Sequence, residues 1–469
     1  MNGGTFTPGK EKERAGIYFN FKTTAENRVS AGERGTVALP IASSWGEVKK
    51  FISISSIEDL NKKVGLNIDD PSLLLLREAM KKASTVLLYR LTEGLRASAD
   101  ISEGVKATAL YGGTKGNDII ISITENVIDS SKVDVTTYLD QSEVDKQTVS
   151  KAEELKQNNY VTFTGKGDLT VTIPLTGTAP EDVSGALPAS SGIRLSGGTD
   201  KTPTNADYTA FLEAAETEYF DTIALPVEDN EDNEQLKATF VAFIKRLRDN
   251  QGQKVQGVLS NYKGDYEGII NVTGGVLLED GTEITPEKAT AWVAGASAGA
   301  TFNQSLTFVE YEGAVDVLNR IDNDEIVERL ANGEFLFTYD SRDKSVSVEK
   351  DINSLTSLTA EKNKMFQKNK IVRVLDTINN DLTSQLKALI KSRKASGSDV
   401  PATNDGLQFV KTLITQYLSV LQDNGGITDF DSENDIAIAL NNDRDGFLID
   451  LAVQPVDAAE KFYFNVEVK

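Results

Sequence analysis

The chain ends in Lys461-Phe462-Tyr463-Phe464-Asn465-Val466-Glu467-Val468-Lys469. Under the two-residue period of a strand, Phe462, Phe464, Val466 and Val468 share one face. A similar burst, Ile17-Tyr18-Phe19-Asn20-Phe21, lies near the start, with Ile17, Phe19 and Phe21 on one face. It follows a Gly-rich, charged stretch that runs to Gly16. A strand at a terminus, carried on a flexible arm, needs a sheet to join. Whatever folds between the two ends has to leave these strands something to pair with.

What lies between is long enough, at 469 residues, for about three domains, or two with a large insertion. Residues 23–95 read as mixed α/β. Gly35–Ile41 is a strand, Ser56–Lys63 a short capped helix, and Pro71–Ser84 a helix with Asp70 as its cap and Pro71 at its first position. Val86–Leu91 is then a buried strand. From about 96 to 199 the chain turns Thr-, Val-, Ser- and Gly-rich, with short alternating runs at Val105–Leu110, Ile119–Thr124, Val133–Tyr138, Tyr160–Thr164 and Leu169–Pro174. That pattern predicts a small all-β unit inserted into a larger domain. Helix and strand alternate again from 200: Asp207–Phe220, Thr222–Pro226, Glu231–Asn250, Val255–Leu259, Ile269–Leu278 and Thr285–Ala298. After about 345, helices over 363–391 and Leu407–Asp423 precede strands at Asp435–Leu440 and Phe447–Val453.

The fold class is therefore multidomain α+β or α/β. We expect an N-terminal arm (1–22), a layered α/β core (23–95 with 200–345), an inserted β domain (96–199), a C-terminal α+β domain (346–456) and a C-terminal strand arm (457–469).

Composition removes much chemistry. The chain has no histidine and no cysteine, so it has no Ser-His-Asp or Cys-His machinery, no zinc cluster, no iron–sulfur site and no disulfide. A formal net charge of −22 repels nucleic acid and anionic membranes unless a local basic patch overrides it. No 18-residue apolar run is present, and the opening MNGGTFTPGKEKERAG lacks the apolar core of a signal peptide. Neither a membrane span nor an export signal is expected.

Several short motifs invite a chemical reading. Gly295-Ala296-Ser297-Ala298-Gly299 matches the nucleophile-elbow pattern, but an elbow needs a base, so the plain reading is a small-residue helix end packed closely on a neighbour. Asn441-Asn442-Asp443-Arg444-Asp445-Gly446 resembles the start of a calcium loop. Ala452 stands where the bidentate Glu is needed, and the flanks read as strands, which favours a hairpin turn. Tyr111–Asn117 is glycine-rich but precedes a strand, so no helix N-terminus faces an anion there. We expect no cofactor, no metal and no catalytic residue.

One charge feature stands apart. Between Glu361 and Lys394 lie nine basic residues, Lys362, Lys364, Lys368, Lys370, Arg373, Lys387, Lys391, Arg393 and Lys394, against three acids. This reversal inside an acidic chain reads either as a solvated face or as a docking surface for an acidic partner.

Taken in order, these residues resemble the tail sheath proteins of contractile bacteriophage tails and phage-tail-like bacteriocins, in the prophage-type version of Gram-positive bacteria. The opening Gly3-Gly4-Thr5-Phe6 and Gly16–Phe21 are similar to the family's N-terminal arm. Tyr111–Ile119 resembles the start of its inserted β domain, and Trp292–Ala300 with Asn303–Leu306 its small-residue helix and following loop. Three later segments are more specific: Asp351–Thr356, Asn369–Asp376 and Val453–Tyr463, the last resembling the family's Gln-Pro-Val-Asp-x-x-Glu-Lys ending.

The resemblance implies a non-enzymatic, mechanical role. Subunits would stack as rings or a helix around an inner tube, linked by strands that Ile17, Phe19, Phe21, Phe462, Phe464, Val466 and Val468 donate to a sheet in a neighbour's C-terminal domain. Implied partners are further copies of the chain, the inner tail tube protein, and baseplate and tail terminator proteins, without nucleic acid or membrane insertion. The implied location is a virion tail or phage-tail-like particle, assembled in the bacterial host cytoplasm. The basic run would face the tube, with Lys362, Lys364, Lys368, Lys370, Arg373, Lys387 and Lys391 as docking candidates. Two rivals are an acidic β-rich polysaccharide-active enzyme using paired carboxylates and a surface-layer subunit. The first suffers from having only two tryptophans, Trp45 and Trp292, and the second from the missing export signal.

Overall fold

A computed structural model describes residues 34–171 and 192–469, and the backbone of two strands before them. Those two, β1 (Asn2–Thr5) and β2 (Ile17–Phe19), pair in parallel. Two compact units follow, one of residues 33–380 with 455–469 and one centred on 381–454.

The first unit is built on a seven-stranded sheet. Along the chain its strands are β3 (Thr36–Ile41), β4 (Phe51–Ile54) and β5 (Thr85–Arg90), with α1 (Ile57–Lys63) and α2 (Leu74–Met80) between β4 and β5. The inserted strands are β6 (Ser98–Ser102), β7 (Val105–Ala109), β8 (Ile119–Glu125), β9 (Val133–Leu139), β10 (Ser142–Val149), β11 (Val161–Gly165) and β12 (Ile193–Arg194). The sheet resumes with α3 (Asn205–Ala215), β13 (Thr222–Leu225), α4 (Glu231–Lys245), β14 (Gln256–Ser260) and β15 (Ile269–Val272). After β16 (Val276–Leu278), β17 (Glu283–Ile284), α5 (Pro286–Gly299), β18 (Ala314–Val317) and α6 (Asn323–Ala331), it closes with β19 (Glu334–Phe335). The spatial order is β19-β15-β14-β13-β3-β5-β4, parallel throughout except for the antiparallel edge strand β4.

Alternation along the strands explains the layers. Val37, Leu39 and Ile41 of β3 enter one core with Leu76 and Ala79 of α2 and Trp292 of α5. Ala38, Ile223 and Leu225 enter another with Phe211 of α3 and Leu236, Phe240 and Ile244 of α4. Both faces of a parallel sheet are thereby covered, as such sheets require.

The insertion folds as two antiparallel sheets, β10-β9-β8-β12 and β11-β7-β6, and its Ile119, Ile121, Ile123, Val105 and Val161 are fully enclosed. Buried Arg90 of β5 pins its base, donating from Nε to Ser43 O (2.8 Å), from Nη1 to Gly46 O (2.6 Å) and from Nη2 to Gly112 O (2.5 Å).

Three local expectations change. The helix expected over 71–84 is a 3-10 turn, Pro71–Leu73, and then α2, which stops at Met80 so that β5 can begin at Thr85. The helix expected over 231–250 ends its α geometry at Lys245 and finishes in a π turn, Arg246–Asn250, that carries Arg248 inward to Asp376 (2.7 and 2.8 Å). Leu169–Val171 form no strand, and Thr172–Pro174 lie outside the described residues. β10 escaped detection because its sequence, SEVDKQTV, is that of a mostly exposed edge.

After β20 (Phe337–Asp340) and β21 (Ser345–Val348), α7 (Asn369–Ala395) starts in the first unit. Its first turns dock through a closed ring of buried side chains. Gln256 donates to Asn369 (3.1 Å), Asn369 to Asp351 (3.0 Å), Arg373 to Asp351 (2.6 Å) and to Ser297 (3.4 Å), and Ser297 back to Gln256 (2.8 Å). Arg373 Nη2 also donates to Gln304 O at 2.8 Å. None of the five side chains is more than 4% exposed. The second unit packs α8 (Asn404–Asp423), fully buried at Tyr417, with β22 (Ile427–Thr428), β23 (Ile436–Leu440) and β24 (Phe447–Leu451).

Two predictions follow from this packing. A Cβ on Gly295 would sit 2.3 Å from Ala79 O, so Gly295→Ala is expected to lower thermal stability although alanine is the better helix former by about 1 kcal/mol. Replacing Arg373 by Met strands buried Asp351 and should cost about 3–5 kcal/mol in urea unfolding. Adding Asp351→Leu to Arg373→Met should recover only part of that loss, because it leaves the buried Asn369 side-chain amide and Leu306 N–H without their acceptor.

Candidate assembly surfaces

The strongest unsatisfied feature of the folded chain is its C-terminus. Among the described residues, 456–469 pair with no strand, and Phe462, Phe464, Val466 and Val468 are between 73% and 96% exposed. The alternation predicted a strand, and in the single chain the segment is extended without strand pairing. Ile17 and Phe19 belong to β2, of which only the backbone is described, and Phe21 lies outside the described residues.

The second unit contains a sheet of the complementary kind. β23 and β24 form an antiparallel hairpin, and among the described residues each pairs only with the other. Ile436 faces Leu451, Ile438 faces Ile449 and Leu440 faces Phe447, so six apolar residues share one side. Among the described residues, each strand also keeps one outer edge with no strand on it. A two-stranded sheet of this length is marginal by itself.

The turn joining the two strands is Asn441–Gly446. Asn441 Oδ1 accepts from the amides of Asp445 (3.0 Å) and Gly446 (3.1 Å), and its Nδ2 donates to Asp445 Oδ1 at 2.6 Å. Two of the three side chains that suggested a calcium loop, Asn441 and Asp445, are thus engaged in closing a hairpin. Among the described residues no group of acids is arranged to hold a metal ion. The Gly295–Gly299 segment is the end of α5, where both glycines lie against backbone carbonyls of residues 79 and 82. Both tryptophans are core residues: Trp45 packs against Tyr111 and Tyr160, and Trp292 stacks on Tyr311 at 4.5 Å. Neither offers a ring face to a sugar.

The basic run divides sharply. Arg373 is fully buried in the side-chain ring and Lys370 is 6% exposed, with burial pulling its amine below the usual lysine range. These two are corrected from docking candidates to interior residues. They fell inside the run because helix α7 turns one face inward while its charge pattern continues around both. Lys362 is tied to Glu267 at 2.6 Å, and Lys368 to Asp457. Lys364, Lys387 and Lys391 are exposed, the last two one turn apart on α7. Arg393 stacks on Phe409 at 4.2 Å, and with Lys394 it occupies the last turn of α7, where positive charge suits the helix dipole. No helix among the described residues is long and apolar enough to cross a membrane.

The sequence reading puts the acceptor sheet in a neighbour's C-terminal domain without naming its strands; the signal for β23 and β24 is the two short alternating runs flanking Asn441–Gly446.

Comparison with known proteins bears on the whole length. Residues 34–91 match the N-terminal region of tail sheath protein domain III, 92–200 the phage tail sheath β-sandwich domain, 201–354 the phage tail sheath central domain and 361–469 the phage tail sheath C-terminal domain. The chain is 78% identical over 468 residues, all of both proteins, to the phage-like element PBSX protein XkdK of Bacillus subtilis. It is similar to the sheath tail protein Lin1278 of Listeria innocua, with 51% identity, coverage of 94% of this chain and 96% of the other, and a TM-score of 0.78. It is likewise similar to the sheath tail protein of Desulfitobacterium hafniense, with 43% identity, coverage of 97% and 100%, and a TM-score of 0.80. With four consecutive domain matches spanning the sheet, the sandwich and the hairpin unit, the chain belongs to the phage tail sheath protein family.

Proposed function

We propose that this subunit polymerises around an inner tail tube by donating its terminal strands to other copies of itself, and that the resulting sheath contracts. One observation carries the reading. Among the described residues, the chain presents an unpaired alternating segment at Phe462–Val468 and, in its other unit, a two-stranded sheet with two open edges. One copy's donor fits another copy's acceptor: the arm's apolar face matches the apolar face of Ile436, Ile438, Leu440, Phe447, Ile449 and Leu451. The second free edge leaves room for the N-terminal strand around Ile17, Phe19 and Phe21. Two donated strands would turn a marginal hairpin into a four-stranded sheet.

Strand exchange of this kind links subunits through main-chain hydrogen bonds while the bodies remain able to move. A sheath so linked can be assembled in a metastable extended form and lower its free energy by making new contacts between bodies as it contracts. The baseplate and a tail terminator would bound the polymer, and assembly would take place in the bacterial host cytoplasm. Lys364, Lys387 and Lys391 are the exposed basic residues left to meet the tube. Contacts of this exposed type are weak and salt-sensitive, which suits a surface that has to release.

Deleting residues 461–469 is expected to abolish striated tubes in negative-stain electron microscopy while leaving the subunit folded by circular dichroism. Intact tubes from the deletion variant would refute strand donation by this arm. Lys387→Glu with Lys391→Glu is expected to reduce, at least severalfold, the number of extended sheaths formed on tubes, with subunit stability within about 0.5 kcal/mol of the parent. Unchanged sheath counts would remove α7 from the tube-facing surface.

A further inference from the structure

The C-terminal arm is free along its length but held at its root. Asp457 pairs with Lys368, three residues before Glu460 Oε1 accepts hydrogen bonds from Ser305 Oγ (2.9 Å) and Thr307 Oγ1 (2.7 Å). The positions that receive these contacts are themselves fixed. Lys368 is a bridge partner of Ile352, and its neighbours are bound by Asn353 N to Gln367 O (3.0 Å) and Asn369 N to Asp351 O (3.2 Å). Thr307 Oγ1 accepts the Asp351 amide at 3.0 Å. Phe308 follows in a left-handed conformation (φ 65°), 66% exposed, with its amide on Val348 O at 2.8 Å. A bulky residue accepts that backbone only where its surroundings dictate it.

Through Asp351 this surface is one hydrogen bond from the buried ring of Gln256, Ser297, Asn369 and Arg373. The three segments that carried the C-terminal resemblance, 351–356, 369–376 and 453–463, therefore converge at one place. Ring and arm serve different ends. The ring docks α7, and Asp457 and Glu460 fasten to the outside of the same framework.

We infer that Asp457 and Glu460 form a clip that sets where and in which direction the C-terminal arm leaves the body, making them positioning residues for strand donation to a second copy. The inference rests on the strand-donation reading. Its physical basis is effective concentration: an arm launched from a fixed root samples a smaller volume than one loose from Val456 onward, just past the strand pairing of Gln454–Pro455, so its strand meets the acceptor edge more often. Without the clip, the same nine-residue strand would have to find that edge from a wider distribution.

The absence of cysteine allows a direct test on the full chain. Spin labels are placed at Asn465→Cys, on the polar side of the arm, and at Ser341→Cys, on an exposed turn of the first unit. The distance distribution between them is measured by pulsed electron resonance on the unassembled subunit. The parent should give one narrow peak. Asp457→Ala with Glu460→Ala should broaden it about twofold with an unchanged melting curve. An unchanged width would overturn the clip. Assembly is then followed without labels, beside the 461–469 deletion. The clip variant should form sheaths about tenfold more slowly at equal subunit concentration, whereas the deletion forms none. A broadened peak with a parental assembly rate would overturn the positioning role. If the deletion assembles, strand donation fails, and the distance measurement still decides whether the root is clipped.

Discussion

An alternating segment that pairs with no strand among the described residues is the constraint around which the rest of this molecule is arranged. The backbone groups of Phe462–Val468 are hydrated in the free subunit, and four apolar side chains stand in water beside them. Burying those four is worth about 1.5–3 kcal/mol each, on the order of 6–12 in all. Ordering nine residues opposes this by about 1–2 kcal/mol per residue. Ladder hydrogen bonds contribute only about 1 kcal/mol each net. The sum lies close to balance, so a single donated strand is a reversible link, and a stable polymer needs many of them or a root that has already lost part of its freedom.

Much of this was legible from residues. The 3.6 and 2.0 periodicities placed the helices and strands of the core, and the shift to short alternating runs near residue 96 marked the β insertion that residues 92–200 match as a sheath β-sandwich. The terminal alternation singled out an arm whose side chains are indeed uncovered at the C-terminal end. Charge was the poorer guide. Lys370 and Arg373 count toward a basic run in the same way as Lys387 and Lys391, yet two are interior and two are exposed. For Arg373 the difference is made by Asp351, twenty-two positions upstream, which draws it inward; net charge over a window carries no information about such a pairing. The π turn at Arg246–Asn250 has the same origin, since Asp376 holds Arg248 from a distant part of the chain.

The buried ring and the exposed root show how strength and exchange are kept apart. In the ring, five buried side chains hydrogen-bond to one another, with Arg373 Nε left without a partner, so loss of one member strands others and the arrangement behaves as a unit. Just outside it, Asp457 and Lys368 remain 38% and 29% exposed, where screening keeps a pair weak. A contact of the first kind cannot be remade during a movement, and one of the second kind can. The chain places the first where α7 enters the body and the second where the arm leaves it. The proposed lattice of strand-linked subunits would need that ordering: bodies that do not deform, and arm roots that hold a direction at rest but can yield if neighbouring bodies slide.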